Sequence, residues 1–190
     1  MTRAIAAFIA LMALHTAVGA ATIHIVAFGD SNTAGYLVSR AQNYPSQLQA
    51  ALRAKGYDVT VENAGVNGDT TTGALARFDG AIGPGTDIAI VEFGVNDRRR
   101  GATMASVRDR LGEIIRTLKA RGIGVLLISF SHMELADVAK ANGVLSAQWA
   151  VPAGKYRARD GYHLNAQGYA IVVRQMLPQV EELIARISLR

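Results

Sequence analysis

Apolar residues are grouped along the chain in two alternating patterns from residue 22 onward. Five short apolar runs are typical of buried β-strands, the last of them being the weakest: 22–28, 58–64, 87–93, 123–130 and 144–149. Between them, apolar positions recur at helical spacing, which predicts helices over 44–56, 70–80, 103–122, 133–143 and 165–187. Because near-continuous β-branched runs separated by helices are typical of parallel sheets covered on both faces, the sequence predicts a three-layer α/β/α sandwich.

Residues 1–20 have a different pattern from the rest of the chain. A positive charge at Arg3 precedes an apolar stretch over 4–18, and small residues follow at its end. The stretch is shorter than the ~20 residues that a membrane-spanning helix needs. We therefore expect a signal peptide over 1–20 that is cleaved near Ala20 or Ala21. The expected product is a single domain over 21–190 in the periplasm or outside the cell, with no stable membrane insertion.

Composition excludes several kinds of site. The 190 residues include no cysteine, so disulfides, thiolate metal sites and cysteine nucleophiles are excluded. The formal charge of +5 is not organised into a basic stripe with interleaved aromatic residues, so we expect no nucleic-acid partner. The histidines after residue 20 lack the helical spacing of a metal site, and the first predicted loop lacks a glycine-rich phosphate motif. We expect neither a metal nor a cofactor, and we expect a monomer.

Polar residues and glycines follow each predicted strand. They occupy 29–32, 65–69, 94–97, 131–132 and, before the last helix, 160–163. In open parallel sheets, ligands bind at the carboxyl ends of the strands. The sequence therefore predicts a functional site at this edge of the sheet.

A serine nucleophile with a local base is the chemistry that these residues favour. Ser31 needs a base within hydrogen-bonding reach, and the base needs an orienting partner. His163 has Asp160 three residues before it, whereas His132 has no carboxylate immediately before it. His24 lies at the start of the first strand, at the opposite edge, and is interpreted as structural. We therefore favour His163 as base, Asp160 as its partner and His132 as a residue lining the site.

Acyl transfer also requires hydrogen-bond donors for an oxyanion. The backbone N–H of Gly68, the side-chain amide of Asn96 and the backbone N–H of Ser31 are the candidate donors. Each of these residues alone has an ordinary explanation as a turn or cap. Their joint occurrence at one sheet edge favours the catalytic interpretation.

Four sequence blocks resemble the SGNH (GDSL-type) hydrolases: 28-FGDSNTAGY-36, 63-NAGVNGDTT-71, 93-FGVND-97 and 160-DGYH-163. Within that family, the stretch 47–73 is most similar to the periplasmic multifunctional esterase/thioesterase/lysophospholipase (arylesterase) subgroup. The resemblance implies a flavodoxin-like sheet of order 2-1-3-4-5. It implies Ser31 as nucleophile, Asp160 and His163 as the rest of the triad, and Ser31, Gly68 and Asn96 as the oxyanion hole. The G-x-S-x-G elbow of α/β-hydrolases is absent, because Thr33 occupies the last glycine position.

Departures from the family pattern concern the substrate. Asn32 replaces the usual leucine after the serine, and Leu164 follows His163 where a proline is common. Arg98-Arg99-Arg100 is either a solvated basic face or a rim that attracts anionic groups. The segment between the fourth strand and Asp160 is shorter than in the multifunctional enzymes, which favours an open site. We name Asp30, Asn32, His132 and Arg98 as candidates for lining it.

The predicted function is a secreted serine esterase acting on short-acyl carboxylic esters or thioesters through an acyl-serine intermediate. One alternative is a carbohydrate O-deacetylase or acetyltransferase acting on an envelope or exported polysaccharide. Another is a lysophospholipase or acyl-CoA thioesterase. A binding protein that keeps the fold without catalysis is a third, and failure of a fluorophosphonate to label Ser31 would favour it.

Overall fold

A central parallel sheet organises the chain in the computed structural model, which describes residues 21–130 and 132–189. Its strands are β1 (Ile23–Gly29), β2 (Val59–Gly65), β3 (Ile88–Glu92), β4 (Gly124–Phe130) and β5 (Leu145–Trp149). The strand order is β2-β1-β3-β4-β5, with every pairing parallel. The predicted fold class and sheet order are therefore confirmed. The predicted signal peptide lies outside the described residues.

Helices connect the strands. They are α1 (Ser31–Ala34), α2 (Tyr44–Ala54), α3 (Thr71–Ala76), α4 (Phe78–Ala81), α5 (Val95–Arg99), α6 (Met104–Ala120), α7 (Ala136–Asn142) and α8 (Ala166–Ile187), and a short 3₁₀ turn spans Arg40–Gln42. The helix predicted over 70–80 is divided into α3 and α4 at Arg77, and α7 begins three residues later than predicted. The sequence pattern did not predict α1 and α5, because helices of four and five residues are too short to show an apolar period.

Two apolar cores cover the two faces of the sheet. On β1, Ile25 and Ala27 belong to one core, which α2 and α8 complete, whereas Val26 and Phe28 belong to the other, with α3, α4, α6 and α7. Successive residues of a strand point to opposite faces, so a strand buried on both faces has a continuous apolar sequence. This burial explains why the runs of β1, β3 and β4 are nearly continuous, whereas β2, at the edge of the sheet, is only partly buried.

The register of the central strands brings three loops together. Gly29 at the end of β1 is paired with Gly65 of β2 on one side and with Glu92 of β3 on the other. The segments that leave these strands therefore begin side by side at one edge of the sheet. None of the helices in the described part of the chain is long and apolar enough to cross a membrane.

Candidate active site

The turn after β1 presents Ser31 at the start of a one-turn helix. Asp30 is the N-cap of α1, and its carboxylate Oδ1 accepts a hydrogen bond from the backbone N–H of Asn32 at 3.0 Å. An aspartate at this position satisfies an otherwise unpaired helix N–H group. Gly35 ends the helix in the left-handed conformation, with φ of 80°. The G-D-S sequence thus holds Ser31 in a fixed position just beyond its strand.

Close backbone packing supports this turn from the side of β2. A Cβ atom at Gly65 would lie 2.1 Å from the backbone nitrogen of Ala34. Only glycine therefore permits β2 to approach α1 so closely. Gly65, the first of the two glycines in the second sequence block, therefore has a packing role as well as a position in the motif.

A continuous hydrogen-bonded chain joins three of the predicted site residues. Ser31 Oγ lies 2.9 Å from His163 Nε2, and His163 Nδ1 lies 2.6 Å from Asp160 Oδ2. The other carboxylate oxygen of Asp160 accepts the backbone N–H groups of Tyr162 and His163, each at 3.0 Å. The loop 160–163 thus folds around the carboxylate and directs the imidazole at Ser31.

The charge state of Asp160 follows from these contacts. The hydrogen bond from the His163 ring, helped by the Tyr162 N–H, lowers the pKa of Asp160 from 3.8 to about 2. The carboxylate is therefore ionised throughout the physiological range. An ionised partner fixes the imidazole tautomer with hydrogen on Nδ1 and leaves Nε2 free to accept the serine proton.

Two tyrosines contact the imidazole edge-on. The ring centroids of Tyr36 and Tyr162 lie 5.0 and 5.1 Å from that of His163. The guanidinium of Arg99 lies 4.1 Å from the centroid of the Tyr162 ring. Sequence reasoning missed both tyrosines, although Tyr36 ends the first block and Tyr162 precedes the histidine in the last.

The predicted oxyanion donors Gly68 and Asn96 lie in the segments that leave β2 and β3, the two strands that flank β1. Gly68 has φ of 75°, which favours glycine, and its carbonyl accepts a hydrogen bond from Arg100 Nη2 at 2.8 Å. Asn96 Nδ2 donates to Asp30 Oδ2 and to the carbonyl of Asp69, both at 2.9 Å. Both hydrogens of this amide are thus engaged. An oxyanion would have to share one of them.

A salt bridge that sequence reasoning did not identify braces the Gly68 loop. Asp69 Oδ2 lies 2.7 Å from Arg77 Nε, and Arg77 Nη2 donates to the carbonyl of Gly29 at 3.1 Å. The guanidinium also lies 4.6 Å from the centroid of the Phe28 ring. Arg77 therefore ties the Gly68 loop to the end of β1. No local sequence signal marks this role, because its contacts lie 8 and 48 residues away.

A cavity of about 320 Å³ opens beside the site. It is lined by Asn32, Val95, Phe130, His132, Trp149, Val151, Ala153, Arg157, Gly161, Tyr162 and Leu164. The predicted lining residues Asn32 and His132 are among them, and the His132 ring stacks on Phe130. Asn32, where the related hydrolases usually have leucine, and Leu164, where proline is common, both line this cavity.

Asp30 and Arg98, the other two residues predicted to line the site, do not line this cavity. Asp30 is 1% exposed, because its carboxylate is turned inward to cap α1 and to hold Asn96. Arg98 does not line the cavity, because its guanidinium donates to the carbonyl of Ala102 within its own loop. Of the arginine triplet, Arg99 is the member that contacts the loop 160–163, through the ring of Tyr162.

A buried acid at the end of β3 was also missed. Glu92 is fully buried, and its Oε2 accepts hydrogen bonds from Thr33 Oγ1 at 2.8 Å and from the Asp30 N–H at 3.3 Å. The available signal was an acid between the apolar residues Val91 and Phe93, inside the run 87–93. Fully buried acids are rare in proteins unless they are paired.

Structural roles account for two further polar residues. Asp97 is buried and accepts hydrogen bonds from the N–H and hydroxyl of Thr71, and Arg110 forms an ion pair with it. His24 lies at the opposite end of β1, where its Nδ1 is 2.9 Å from Thr60 Oγ1. Across residues 21–130 and 132–189, His, Asp and Glu form no group that could hold a metal ion.

Comparison with known proteins identifies the family of this chain. The sequence profile of the GDSL-like Lipase/Acylhydrolase family matches residues 27–171. The "Arylesterase" of Vibrio mimicus is 34% identical over 114 residues, which cover 60% of this chain and 57% of that protein. The match thus spans less than two thirds of this relative.

Solved structures give the same result. The SGNH-hydrolase family esterase AlinE4 is 32% identical, with a TM-score of 0.60 over 66% of this chain and 75% of that one. The structure of TesA shares the fold, with a TM-score of 0.76 over 84% of this chain and 99% of that one, at 24% identity. The family profile extends from the end of β1, before Ser31, into α8, beyond His163. The chain belongs to the GDSL-like lipase/acylhydrolase family and has the SGNH-hydrolase fold.

Proposed function

We propose that the protein is a serine esterase that hydrolyses carboxylic esters through an acyl–Ser31 intermediate. The single observation that carries this proposal is the unbroken chain of hydrogen bonds from Ser31 Oγ through His163 to Asp160. The arylesterase and esterase names of the relatives agree with it.

Acylation begins at Ser31. His163 Nε2 takes the hydroxyl proton while Oγ bonds to the ester carbonyl carbon, which gives a tetrahedral intermediate and an imidazolium. The intermediate then collapses, the bond to the leaving oxygen breaks, and His163 returns the proton to the departing alcohol. Asp160, ionised at neutral pH, stabilises the imidazolium through its 2.6 Å contact with Nδ1.

Deacylation repeats these steps with water. His163 takes a proton from the water, whose oxygen attacks the acyl carbon, and then returns the proton to Ser31 Oγ as the acid is released. In both halves the negative oxygen would be stabilised by the backbone N–H groups of Ser31 and Gly68. Neither N–H donates to any acceptor within residues 21–130 and 132–189. Asn96 would provide the third donor by sharing a hydrogen that it gives to Asp30 or Asp69 in the free protein.

The neighbouring cavity supports a short acyl group. Its volume of about 320 Å³ is at the low end of the range of roughly 300–1,000 Å³ for ligand pockets. Phe130, Trp149 and Leu164 form an apolar wall, and Asn32 and His132 add polar groups. We therefore expect acyl chains of a few carbons to react faster than long chains.

The principal test is replacement of Ser31 by alanine. Ser31→Ala should abolish both the hydrolysis of p-nitrophenyl acetate and labelling by a fluorophosphonate, whereas Ser39→Ala, at an exposed serine, should leave both unchanged. Unchanged turnover in the Ser31 variant would refute the proposal.

A series of substrates separates the alternatives. Release of acetate from acetylated polysaccharide would favour the deacetylase, and preference for lysophospholipid or palmitoyl-CoA would favour the lipase or thioesterase. We further propose secretion after cleavage near Ala20. The N-terminal sequence of the exported protein tests it, and an intact Arg3 in that protein would contradict it.

A further inference from the structure

Glu92 is a buried acid that the proposed reaction does not use. It is the last residue of β3 and is fully buried. Its two hydrogen-bond donors, the Asp30 N–H and the Thr33 hydroxyl, flank Ser31 in sequence. Within residues 21–130 and 132–189 it forms no ion pair with Lys, Arg or His. An ionised carboxylate in such a place is strongly disfavoured, and the usual response is to hold a proton.

The Glu92 side chain lies against Asp30, because its Oε2 accepts the Asp30 N–H at 3.3 Å, and its other oxygen, Oε1, is buried without a hydrogen-bond partner in the described part of the chain. Two ionised carboxylates cannot hydrogen-bond to each other, because neither has a hydrogen to donate. A hydrogen bond between these two side chains therefore requires a proton on one of them.

The surroundings assign the proton to Glu92. Asp30 accepts hydrogen bonds from the Asn32 N–H at 3.0 Å and from Asn96 Nδ2 at 2.9 Å, and such donors favour its charged form. Glu92 Oε1 receives no hydrogen bond from any residue in the described part of the chain, so it can carry the hydrogen. Burial, followed by the negative charge of Asp30, raises the pKa of Glu92 well above its usual 4.5.

Other titratable groups around the pair do not supply a counter-charge. Tyr44 of α2 and Tyr169 of α8 face it, as do Tyr162 and His163 of the loop before α8. Burial raises the pKa of all three tyrosines, so they remain neutral at physiological pH. His163 is the one member of this set that can become positive, and it faces the Asp30 side of the pair.

We propose that Glu92 is a protonated positioning residue for the oxyanion hole. In this proposal its carboxylic acid donates a hydrogen bond to the Asp30 carboxylate, which caps α1 at Asn32 and accepts a hydrogen bond from Asn96 Nδ2. Ionisation of Glu92 would replace this bond with repulsion between two carboxylates and would release the amide. The inference rests on the proposed esterase function, because it gives Glu92 a part in that reaction.

Three substitutions test it with p-nitrophenyl acetate as substrate. Glu92→Gln keeps a donor and an acceptor without charge, so its kcat near neutral pH should stay within about threefold of wild type. Glu92→Leu keeps the volume but removes the donor, so kcat should fall by about tenfold or more with little change in KM. Glu62→Gln, at an exposed carboxylate on β2, should change neither constant. A Gln variant as impaired as the Leu variant would overturn the inference.

The pH profile separates positioning from a merely structural role. In the wild type, kcat should decline once the pH is high enough to ionise Glu92, and in Glu92→Gln this decline should be absent. An identical decline with rising pH in both proteins would overturn the inference.

The pH dependence of unfolding tests whether Glu92 is protonated, independently of catalysis. The folded state holds a proton that the unfolded state releases above pH 4.5, so wild-type stability falls as pH rises from there toward the raised pKa. Between about pH 5 and pH 8, the midpoint of urea unfolding should therefore fall more in wild type than in Glu92→Gln. If wild type hydrolyses no ester, the esterase proposal fails and this measurement still tests the proton. Equal pH dependence in the two proteins would then overturn the inference.

Discussion

Asp160 contacts His163 and Asp30 contacts Ser31, and the environments of these two acids differ. Asp160 lies in a surface loop, where the imidazole and a backbone N–H lower its pKa to about 2. Asp30 and the neighbouring Glu92 are buried in the turn that carries Ser31, and burial raises the pKa of both. The surface acid is arranged to stay charged through the reaction, whereas the buried pair retains one proton and one charge. The same functional group thus serves two purposes, and solvent exposure separates them.

The largest expected effect comes from removing the charge of the surface acid. Asp160→Asn should lower kcat by about 10³- to 10⁴-fold, because a neutral amide neither fixes the productive imidazole tautomer nor stabilises the imidazolium. Steady-state kinetics with p-nitrophenyl acetate measures this. Asp79→Asn, at an exposed acid paired with Arg121, is the matched control and should leave kcat unchanged. If Asp160→Asn kept a tenth of the activity, the surface acid would not have the role given to it.

Asn96 connects the buried acids to the proposed reaction, because its amide donates to Asp30 and is also a proposed oxyanion donor. Asn96→Ala should lower kcat by about 10²- to 10³-fold with a small change in KM, because an oxyanion donor acts in the transition state. Asn67→Ala removes an exposed amide from the neighbouring loop and serves as the control. A loss confined to KM would mean that Asn96 binds substrate instead of stabilising the oxyanion.

The two acids should also have opposite effects on the pH dependence of stability. The pKa of Asp160 is lowered on folding, so its contribution is complete above about pH 4 and is lost as the pH falls toward 2. Urea unfolding of wild type and Asp160→Asn should therefore converge over this acid range. Glu92 produces the opposite slope, with wild-type stability falling as pH rises above 4.5. Parallel curves for wild type and Asp160→Asn would show that the surface acid is not perturbed by folding.

The smallest expected effect concerns Arg99, which lies on the Asp160 side. Its guanidinium contacts the Tyr162 ring and, among the residues that the structure describes, has neither a carboxylate nor a hydrogen-bond partner. Arg99→Gln should lower kcat/KM for a sulfonated nitrophenyl acetate, relative to unsubstituted p-nitrophenyl acetate, by about two- to fivefold. The difference should shrink at high salt.

Arg98→Gln is the matched control, because that side chain bonds to its own loop. An equal effect of both variants would indicate a general surface potential and would favour the solvated basic face over a specific rim.

How far the sequence predicts this arrangement depends on the distance over which each residue acts. The strands were predictable because a doubly covered sheet requires apolar runs, and their carboxyl ends identified the loops of Ser31, Gly68 and Asn96. Asp160 was predictable as the partner of His163 because the two are three residues apart. Family resemblance joined Ser31 to the loop 132 residues away.

Glu92 and Arg77 were not predictable in the same way. Each acts through contacts to the Ser31 turn that arise from strand register and helix packing. Glu92 appears in sequence as one acid in a strand. Only its pairing with Gly29 brings it into contact with the turn that carries Ser31. The burial of Asp30 was not predictable for a related reason, because nothing in the local sequence shows whether a cap residue is turned inward or toward solvent.

Trp149 gives this site a natural optical reporter. It is the only tryptophan in the chain, is 3% exposed, and lines the cavity while packing against Tyr44 and Phe130. All indole fluorescence of the protein therefore originates at the wall of the proposed acyl pocket. Filling the pocket should change the emission directly, so stopped-flow fluorescence of the unlabelled protein can follow formation and decay of the acyl-enzyme in real time.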